Sequence, residues 1–178
     1  MTRGSLLLVG DSHLAETTTR DVAPVAARLR RLGWELTSLA VGGLDTRAAR
    51  RLLPDPLPAT DATVVSFGSN DAAPWKQVPL AEFTIWYAEL LARIASPVTV
   101  VMGPPPVRED RDDPRGRTNA VLDDYAAAAL QVAESSGVRF LDLREVLDPA
   151  TDLDEDGLHL ADSGARAAAA ALDGALRG

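Results

Sequence analysis

Two polar motifs near opposite ends of the chain contain the residue types best suited to chemistry. Gly10-Asp11-Ser12 follows a short apolar run, so the Ser12 hydroxyl is expected where a strand ends. Far along the chain, Asp156 precedes His159, one of 2 histidines, by three residues. On a turn, this spacing lets the carboxylate reach the imidazole, fix its tautomer and stabilise the imidazolium that forms when the ring accepts a serine proton. The two motifs therefore predict a serine nucleophile with a histidine base.

Both motifs also have plainer interpretations. A serine directly after a strand is more typical of a helix cap than of a nucleophile. Asp156 and His159 would also fit a solvated acidic turn with an exposed histidine. The rest of the chain decides between these interpretations, because an acyl-transfer site also needs hydrogen-bond donors for the oxyanion of its tetrahedral intermediate.

Two further segments supply such donors. After the second predicted strand, Gly42 and Gly43 offer backbone N–H groups that no side chain obstructs. After the third predicted strand, Gly68-Ser69-Asn70-Asp71 offers the side-chain amide of Asn70. Removing one preorganised donor of this kind typically lowers the rate by about 10²–10³. Nucleophile, donors, carboxylate and base thus fall on four successive candidate loops.

The elements that would position these loops alternate between strands and helices. Short β-branched or Leu-rich runs predict five strands, at 6–9, 35–41, 63–67, 98–102 and 138–141. Apolar periodicity predicts helices at 21–32, 80–94, 119–134 and 162–176, the last with Asp162 or Ser163 as its N-cap.

This alternation predicts the fold class and the location of the site. Parallel strands need long right-handed crossovers, so we expect a doubly wound parallel sheet of about five strands within a three-layer α/β/α sandwich. In such sheets ligands bind beyond the carboxyl ends of the strands, where the candidate loops fall. One domain, residues 1–178, accounts for the whole sequence.

Together the four motifs resemble those of the SGNH hydrolases, also called GDSL esterases and lipases. The matching blocks, in order, are Gly10-Asp11-Ser12, Gly43, Gly68-Ser69-Asn70-Asp71 and Asp156-Gly157-Leu158-His159. The resemblance implies the flavodoxin-like fold of that family and a catalytic triad of Ser12, His159 and Asp156. It also implies an oxyanion hole made by the Ser12 N–H, the Gly43 N–H and the Asn70 side chain.

Three residues near these blocks leave alternatives. The family motif usually has leucine where His13 stands, which makes His13 a rival for the base. A residue adjacent in sequence to the nucleophile normally points away from it, so we expect His13 to line the substrate rim or contact the substrate. Trp75, five residues after Asn70 in a Pro-containing loop, is a further candidate for that rim. Gly42 is a rival for Gly43 as oxyanion donor, and the resemblance favours Gly43.

The charged residues around the candidate positions are expected to have structural roles. Asp11 and Asp71 would hydrogen-bond loop backbones and so maintain the geometry of the site. The loop 103–117 has four prolines and eight charged residues of both signs, Arg117 among them. This mixture predicts a solvated rim and not an anion site.

Composition and charge exclude several classes of function. A formal net charge of −8 argues against a nucleic-acid partner, since neutralising phosphates needs an excess of Lys and Arg. The absence of cysteine excludes disulfides and thiolate chemistry. No apolar run approaches the roughly 20 residues that span a bilayer, and no signal-peptide core is present. We therefore expect a cytoplasmic protein without membrane insertion; the sequence predicts no oligomeric state.

The best-supported function is a serine esterase that cleaves a small acyl ester through an acyl-serine intermediate, with no cofactor and no metal ion. Acyl transfer to an alcohol, or deacetylation of a sugar, would use the same residues. A non-catalytic ligand-binding α/β module is the alternative of a different class, because one fold hosts many functions.

Two other motifs are disfavoured by particular residues. A nucleophile elbow needs glycine two residues after the serine, and Leu14 stands there. The segment 152–157 reproduces the first half of a calcium-binding EF-hand loop, but position twelve of that loop is Ser163 where a glutamate is needed.

Overall fold

The computed structural model describes residues 3–16, 24–111 and 116–178. The predicted start of the first helix, at Asp21, lies outside these residues. So do Asp112, Asp113 and Arg115 of the long charged loop.

Strands and helices alternate along the described chain, as the sequence predicts. The strands are β1 (Gly4–Gly10), β2 (Trp34–Ser38), β3 (Ala62–Ser66), β4 (Val98–Met102) and β5 (Arg139–Leu141). The helices are α1 (Val25–Arg31), α2 (Thr46–Leu52), α3 (Leu80–Leu91), α4 (Asn119–Ser135), α5 (Leu143–Val146), α6 (Pro149–Asp152) and α7 (Asp162–Arg177). In the part of the chain that the structure describes, no helix is both long and apolar enough to cross a membrane.

All five strands form one parallel sheet in the order β2-β1-β3-β4-β5. This confirms the predicted doubly wound arrangement. β1 is central and pairs with β2 on one side and β3 on the other, so the direction of the crossovers reverses between β1 and β3. At such a switch point a crevice opens beyond the carboxyl ends of the two strands.

Different helices cover the two faces of the sheet, which gives the predicted three layers. Side chains alternate between faces along a strand. Leu6 and Leu8 of β1 accordingly pack with α1 and α7, while Leu7 and Val9 pack with α2, α3 and α4. All four side chains are fully buried, and each contributes about 1.5–3 kcal/mol to stability. β1 is therefore anchored on both faces before the chain leaves the sheet towards Ser12.

Apolar periodicity sets no bounds for the helical segment that the alternation predicts between β2 and β3, where α2 lies. It has only seven residues, and three of them are arginines, so no apolar stripe of useful length marks it. A usable signal is Asp45, which caps the helix by accepting a hydrogen bond from the Ala48 N–H at 2.8 Å.

The predicted caps of α7 are wrong. Ala161 occupies the N-cap position and makes no side-chain hydrogen bond there. The Asp162 carboxylate instead forms an ion pair with Arg28 of the neighbouring helix α1. The Ser163 hydroxyl donates to the Thr151 carbonyl at 3.0 Å. Both side chains thus connect α7 to its neighbours and do not cap it.

β1 and β3 approach each other closely at the end of β1, and this approach needs glycine at position 10. Gly10 pairs with Ser66 in the sheet. Its φ is +156°, and a Cβ atom built on it would lie 2.4 Å from the Ser66 carbonyl oxygen. Because the clashing atom belongs to the backbone of a central strand, the neighbour cannot move aside cheaply.

We expect Gly10→Ala to lower the free energy of unfolding by about 1–3 kcal/mol or more, since the methyl group would push β1 away from β3. Urea unfolding followed by circular dichroism measures this. The matched control is Gly174→Ala in α7, where an added Cβ meets no atom within 4 Å. It should stabilise the protein by about 0.5–1 kcal/mol, because alanine is the better helix former. Equal unfolding midpoints for wild type and Gly10→Ala would contradict the close approach.

Candidate active site

Loops at one edge of the sheet bring the predicted site residues together. Ser12 follows β1, Gly43 follows β2 and Asn70 follows β3. Asp156 and His159 lie on the turn that precedes α7. These loops meet at the carboxyl ends of adjacent strands, where ligands bind in doubly wound sheets.

Ser12, His159 and Asp156 form a continuous hydrogen-bonded chain. Ser12 Oγ lies 3.2 Å from His159 Nε2, and His159 Nδ1 lies 2.7 Å from Asp156 Oδ2. An ionised carboxylate only accepts, so Nδ1 carries the ring hydrogen and Nε2 of the neutral ring is the acceptor. The geometry therefore lets the imidazole take a proton from the serine hydroxyl.

The turn with Asp156 and His159 is fixed by its own backbone. An antiparallel bridge between Leu153 and Leu160 closes its two ends. Asp156 Oδ1 accepts hydrogen bonds from the Leu158 and His159 N–H groups, each at 3.0 Å. The carboxylate that contacts the imidazole is thus oriented before it meets the ring. Among the described residues, no group of three or more histidine and acidic side chains is arranged to hold a metal ion.

Ser12 lies on a tight turn and not at the start of a helix. The N–H groups of Leu14 and Ala15 donate to the Asp11 carbonyl at 3.2 and 3.1 Å. Asp11 Oδ1 accepts from the His13 N–H at 3.0 Å. Asp11 thus accepts the hydrogen bonds from the N–H groups of this turn. The Ser12 side chain does not cap them and contacts the imidazole, so the helix-cap interpretation does not apply. Within the described residues the Ser12 N–H has no hydrogen-bond partner.

Gly42 and Gly43 form a turn beside Ser12. The Val41 N–H donates to the Gly10 carbonyl at 2.9 Å, which keeps the chain alongside β1. A Cβ atom built on Gly42 would lie 4.0 Å from Ser12 Cβ. Gly43 has a φ of +79° and faces open space. Counting described residues only, neither glycine N–H has a hydrogen-bond partner, so both are available as donors.

A lysine fixes this glycine turn from the outside. Lys76 Nζ donates to the Gly43 carbonyl and lies 3.0 Å from Asp45 Oδ2. No local pattern in the sequence marks this contact, because Lys76 comes from a different loop. Its position could be found only from the tertiary structure.

The Asn70 side chain lies between the Ser12 loop and the glycine turn. Its Nδ2 donates to Asp11 Oδ2 at 3.3 Å and to the Leu44 carbonyl at 3.2 Å. Its Oδ1 accepts from Arg117 Nη2 at 3.2 Å. Both Nδ2 bonds are longer than the usual distance of about 2.9–3.0 Å. The amide N–H groups therefore face the two loops that carry the other candidate donors.

Two buried carboxyl groups organise these loops. Asp71 accepts from the Thr46 N–H at 2.9 Å and the Gly68 N–H at 3.1 Å, while Asp11 makes the contacts given above. Burial raises the pKa of each to about 6, because the charged form loses its hydration; the hydrogen bonds that each accepts oppose this only in part. The structural roles predicted for Asp11 and Asp71 are confirmed.

The two residues expected on the rim lie in different environments. His13 is only 5% exposed, and its ring centroid is 5.7 Å from that of His159. It therefore lies in the interior beside the imidazole, and not on an exposed rim. Trp75 is 56% exposed and remains a surface residue.

The long loop after β4 is not uniformly solvated, contrary to the prediction from its mixed charges. Arg117 is 4% exposed, and its guanidinium carbon lies 4.9 Å from the Trp75 ring centroid. Its Nε donates to the Ser69 carbonyl at 2.6 Å. Earlier in the same loop, the Arg108 N–H donates to the Gly157 carbonyl at 2.8 Å. The loop thus contacts both the Asn70 loop and the turn that carries the histidine.

Comparison with known proteins shows the class to which this fold and site belong. The family model of the GDSL-like lipase/acylhydrolases matches residues 8–167. The chain therefore belongs to this family of ester hydrolases. The predicted SGNH resemblance, and the prediction of an enzyme that acts on carboxylic esters, are confirmed.

Individual relatives and neighbours carry esterase names. The chain is 28% identical to the isoamyl acetate-hydrolyzing esterase 1 homolog of Homo sapiens, over 89% of this chain and 75% of that protein. The bovine protein of the same name is 30% identical, over 68% of this chain and 60% of its own length.

Two solved structures share the fold. A lipase/acylhydrolase from Enterococcus faecalis has a TM-score of 0.78 at 22% identity and covers 97% of this chain and 93% of its own. An acetyl xylan esterase from Geobacillus stearothermophilus has a TM-score of 0.75 at 19% identity and covers 98% and 95%.

Carboxyl ¹³C NMR of the folded protein is expected to show two aspartate titrations with midpoints near pH 6, because burial raises the pKa of Asp11 and Asp71 to about 6. Asp11→Asn and Asp71→Asn should each remove one of them. Asp61 is the internal control: hydrogen bonds from Ser5 lower the pKa of its exposed carboxyl, so its signal should titrate below the usual range.

The same shifts predict how stability depends on pH. Between pH 3.8, where unfolded aspartates titrate, and about pH 6, the folded protein binds more protons at Asp11 and Asp71 than the unfolded chain does. Their contribution to the free energy of unfolding therefore falls as the pH rises through this window, by on the order of 3 kcal/mol for each group. Urea unfolding across this window should show a smaller fall in Asp11→Asn than in wild type. Identical pH dependence in the two proteins would contradict the shift.

Proposed function

We propose that this chain is a serine esterase that cleaves small acyl esters through an acyl-serine intermediate. The observation that carries the proposal is the hydrogen-bonded chain from Ser12 through His159 to Asp156, with distances of 3.2 and 2.7 Å. A serine hydroxyl is a weak nucleophile until an adjacent base takes its proton, and that base works best when a third group orients it.

In the proposed acylation, Ser12 Oγ attacks the ester carbonyl carbon while His159 Nε2 accepts the hydroxyl proton. Asp156 keeps the Nδ1 hydrogen directed at its own carboxylate and stabilises the imidazolium. The imidazolium then donates its Nε2 proton to the leaving oxygen as the C–O bond breaks. The products of this step are the acyl-serine and a free alcohol.

In the proposed deacylation, a water molecule attacks the acyl-serine and His159 again accepts a proton. The imidazolium returns that proton to Ser12 Oγ as the carboxylic acid leaves. An alcohol in place of water would give acyl transfer by the same steps, which is the alternative reaction that this machinery permits. Acylation and deacylation each need a neutral imidazole at the start.

The proposed donors to the oxyanion are the Ser12 N–H, the Gly43 N–H and Asn70 Nδ2. The two backbone groups have no other partner among the described residues. Asn70 Nδ2 already makes two long bonds, at 3.3 and 3.2 Å. Because one N–H can be shared between two acceptors, the amide can also serve an oxyanion beside Ser12.

We propose acetyl and similarly small acyl esters as the substrates. The human and bovine relatives are named for isoamyl acetate, and the Geobacillus stearothermophilus neighbour is named for acetyl xylan. These names share an acetyl ester and differ in the alcohol. The acyl group is therefore the better supported half of the substrate.

Ser12→Ala and His159→Ala are each expected to lower kcat on p-nitrophenyl acetate by about 10⁴ or more, and the double variant should lose no further activity, because the two groups act as a unit. Stopped assays on purified protein measure this. A fluorophosphonate probe should label the wild type at Ser12, as located by mass spectrometry of the peptide, and should not label Ser12→Ala.

The matched control is His13→Ala, which removes the other histidine, 5.7 Å away between ring centroids and outside the hydrogen-bonded chain. It should keep most of the wild-type kcat. Loss of turnover in His13→Ala together with an active His159→Ala would reassign the base. A wild type that neither turns over esters nor reacts with the probe would favour a non-catalytic ligand-binding module.

A panel of p-nitrophenyl esters is expected to give the highest kcat/KM for acetate and a steady fall as the acyl chain lengthens. One methylene group that does not fit an apolar pocket typically changes kcat/KM by about 10–200-fold. Isoamyl acetate and acetylated xylo-oligosaccharides then compare alcohols with the acyl group held constant. A maximum at octanoate or longer would contradict the small acyl group.

A further inference from the structure

The guanidinium of Arg117 contacts two consecutive residues of the loop that carries Asn70. Its Nε donates to the Ser69 carbonyl at 2.6 Å, and its Nη2 donates to Asn70 Oδ1 at 3.2 Å. Arg117 is 4% exposed, and its guanidinium carbon lies 4.9 Å from the Trp75 ring centroid. Arginine is almost never this deeply buried unless its donors have partners. These contacts are therefore a specific feature of the site.

The contacts determine which way the Asn70 amide faces. Arginine only donates, so the amide atom that faces Arg117 must be Oδ1. On the other side, the ionised Asp11 carboxylate and the Leu44 carbonyl only accept, so the atom that faces them must be Nδ2. A flipped amide would direct its NH₂ group at the guanidinium and its oxygen at the carboxylate. The surroundings of Asn70 therefore permit one orientation.

We propose that Arg117 is a positioning residue for Asn70 in ester hydrolysis. It keeps Asn70 Nδ2 directed at the loops beside Ser12, where the oxyanion would form. A cationic donor on Oδ1 also polarises the amide and strengthens its N–H groups as donors. This inference rests on the proposed function, in which Asn70 donates to the oxyanion. Arg117 itself does not touch the reacting atoms.

Lysine would not reproduce this arrangement. The planar guanidinium reaches the Ser69 carbonyl and Asn70 Oδ1 with two different nitrogen atoms while one face lies against Trp75. An ammonium group is a compact point charge without that planar fork, so it keeps the charge but not the pair of directed bonds. Arg117→Lys thus separates the positive charge from the positioning.

A double-mutant cycle in the full chain tests the proposal. Arg117→Met should lower kcat on p-nitrophenyl acetate about tenfold with little change in KM, because it weakens an interaction made mainly in the transition state. In the Asn70→Ala background the same substitution should change kcat by less than about twofold, since the side chain through which Arg117 acts is gone. Arg117→Lys should remain close to Arg117→Met in kcat.

The matched control is Arg144→Met, which removes an arginine that pairs with Asp142 and Asp123 and makes no hydrogen bond or ion pair with the site loops in the described chain. It should keep the wild-type kcat. Thermal unfolding of every variant shows whether a loss of activity follows a loss of folded protein. If Arg117→Met does not fold, Arg117→Lys takes its place in the cycle.

Two results would overturn the proposal: an unchanged kcat in Arg117→Met, or a tenfold loss that persists in full when Asn70 is alanine. In the second case Arg117 acts on the fold or on another group. Failure of the proposed function looks different, because the wild type would then hydrolyse no ester at all. If the wild type is active and Asn70→Ala keeps the full kcat, Asn70 is not an oxyanion donor. Arg117 then has no positioning role.

Discussion

The parallel pairing of β1 with β2 and with β3 is the interaction on which the rest of the site depends. Leu8 pairs with Ser38 on one side, and Gly10 pairs with Ser66 on the other. Three strands therefore end side by side, with β1 in the middle. The glycine turn after β2 and the asparagine loop after β3 each begin one strand spacing, about 4.8 Å, from the loop that carries the serine. The fourth loop then brings His159 to this edge of the sheet together with Asp156, its hydrogen-bond partner.

The buried carboxylates of Asp11 and Asp71 connect the loops that leave this edge. Their burial lowers the free energy of unfolding. Burial raises the pKa of Asp11 and Asp71 to about 6, so at neutral pH the folded protein keeps two carboxylates ionised at a net cost. Each one fixes backbone N–H groups that a neutral apolar side chain would leave without partners. Local rules of stability are commonly broken at functional sites, where geometry is what must be maintained.

The sequence predicts those parts of the fold and site that have a local signal. The spacing of Asp156 and His159 predicts their contact because a turn needs only a few residues to bring them together. The burial of Arg117 has no such signal, since it depends on Ser69 and Asn70, 48 and 47 positions away. A run of mixed charges does not show which charged residue has a buried partner. The interior position of His13 also depends on residues distant in the sequence, so no local pattern predicts it.

In the proposed reaction, the fixed charges around Ser12 reduce the cost of forming an oxyanion. Asp11 alone would oppose it, because its carboxylate accepts from the same Asn70 amide that the oxyanion would use. Burial raises the pKa of Asp11, and the positive charges of Arg117 and Lys76, joined by His159 once its ring is protonated, act in the opposite direction. When the proton moves from Ser12 to His159, an imidazolium forms at the same moment as the oxyanion. The site then gains one charge of each sign, and the new anion adds no net charge to the site.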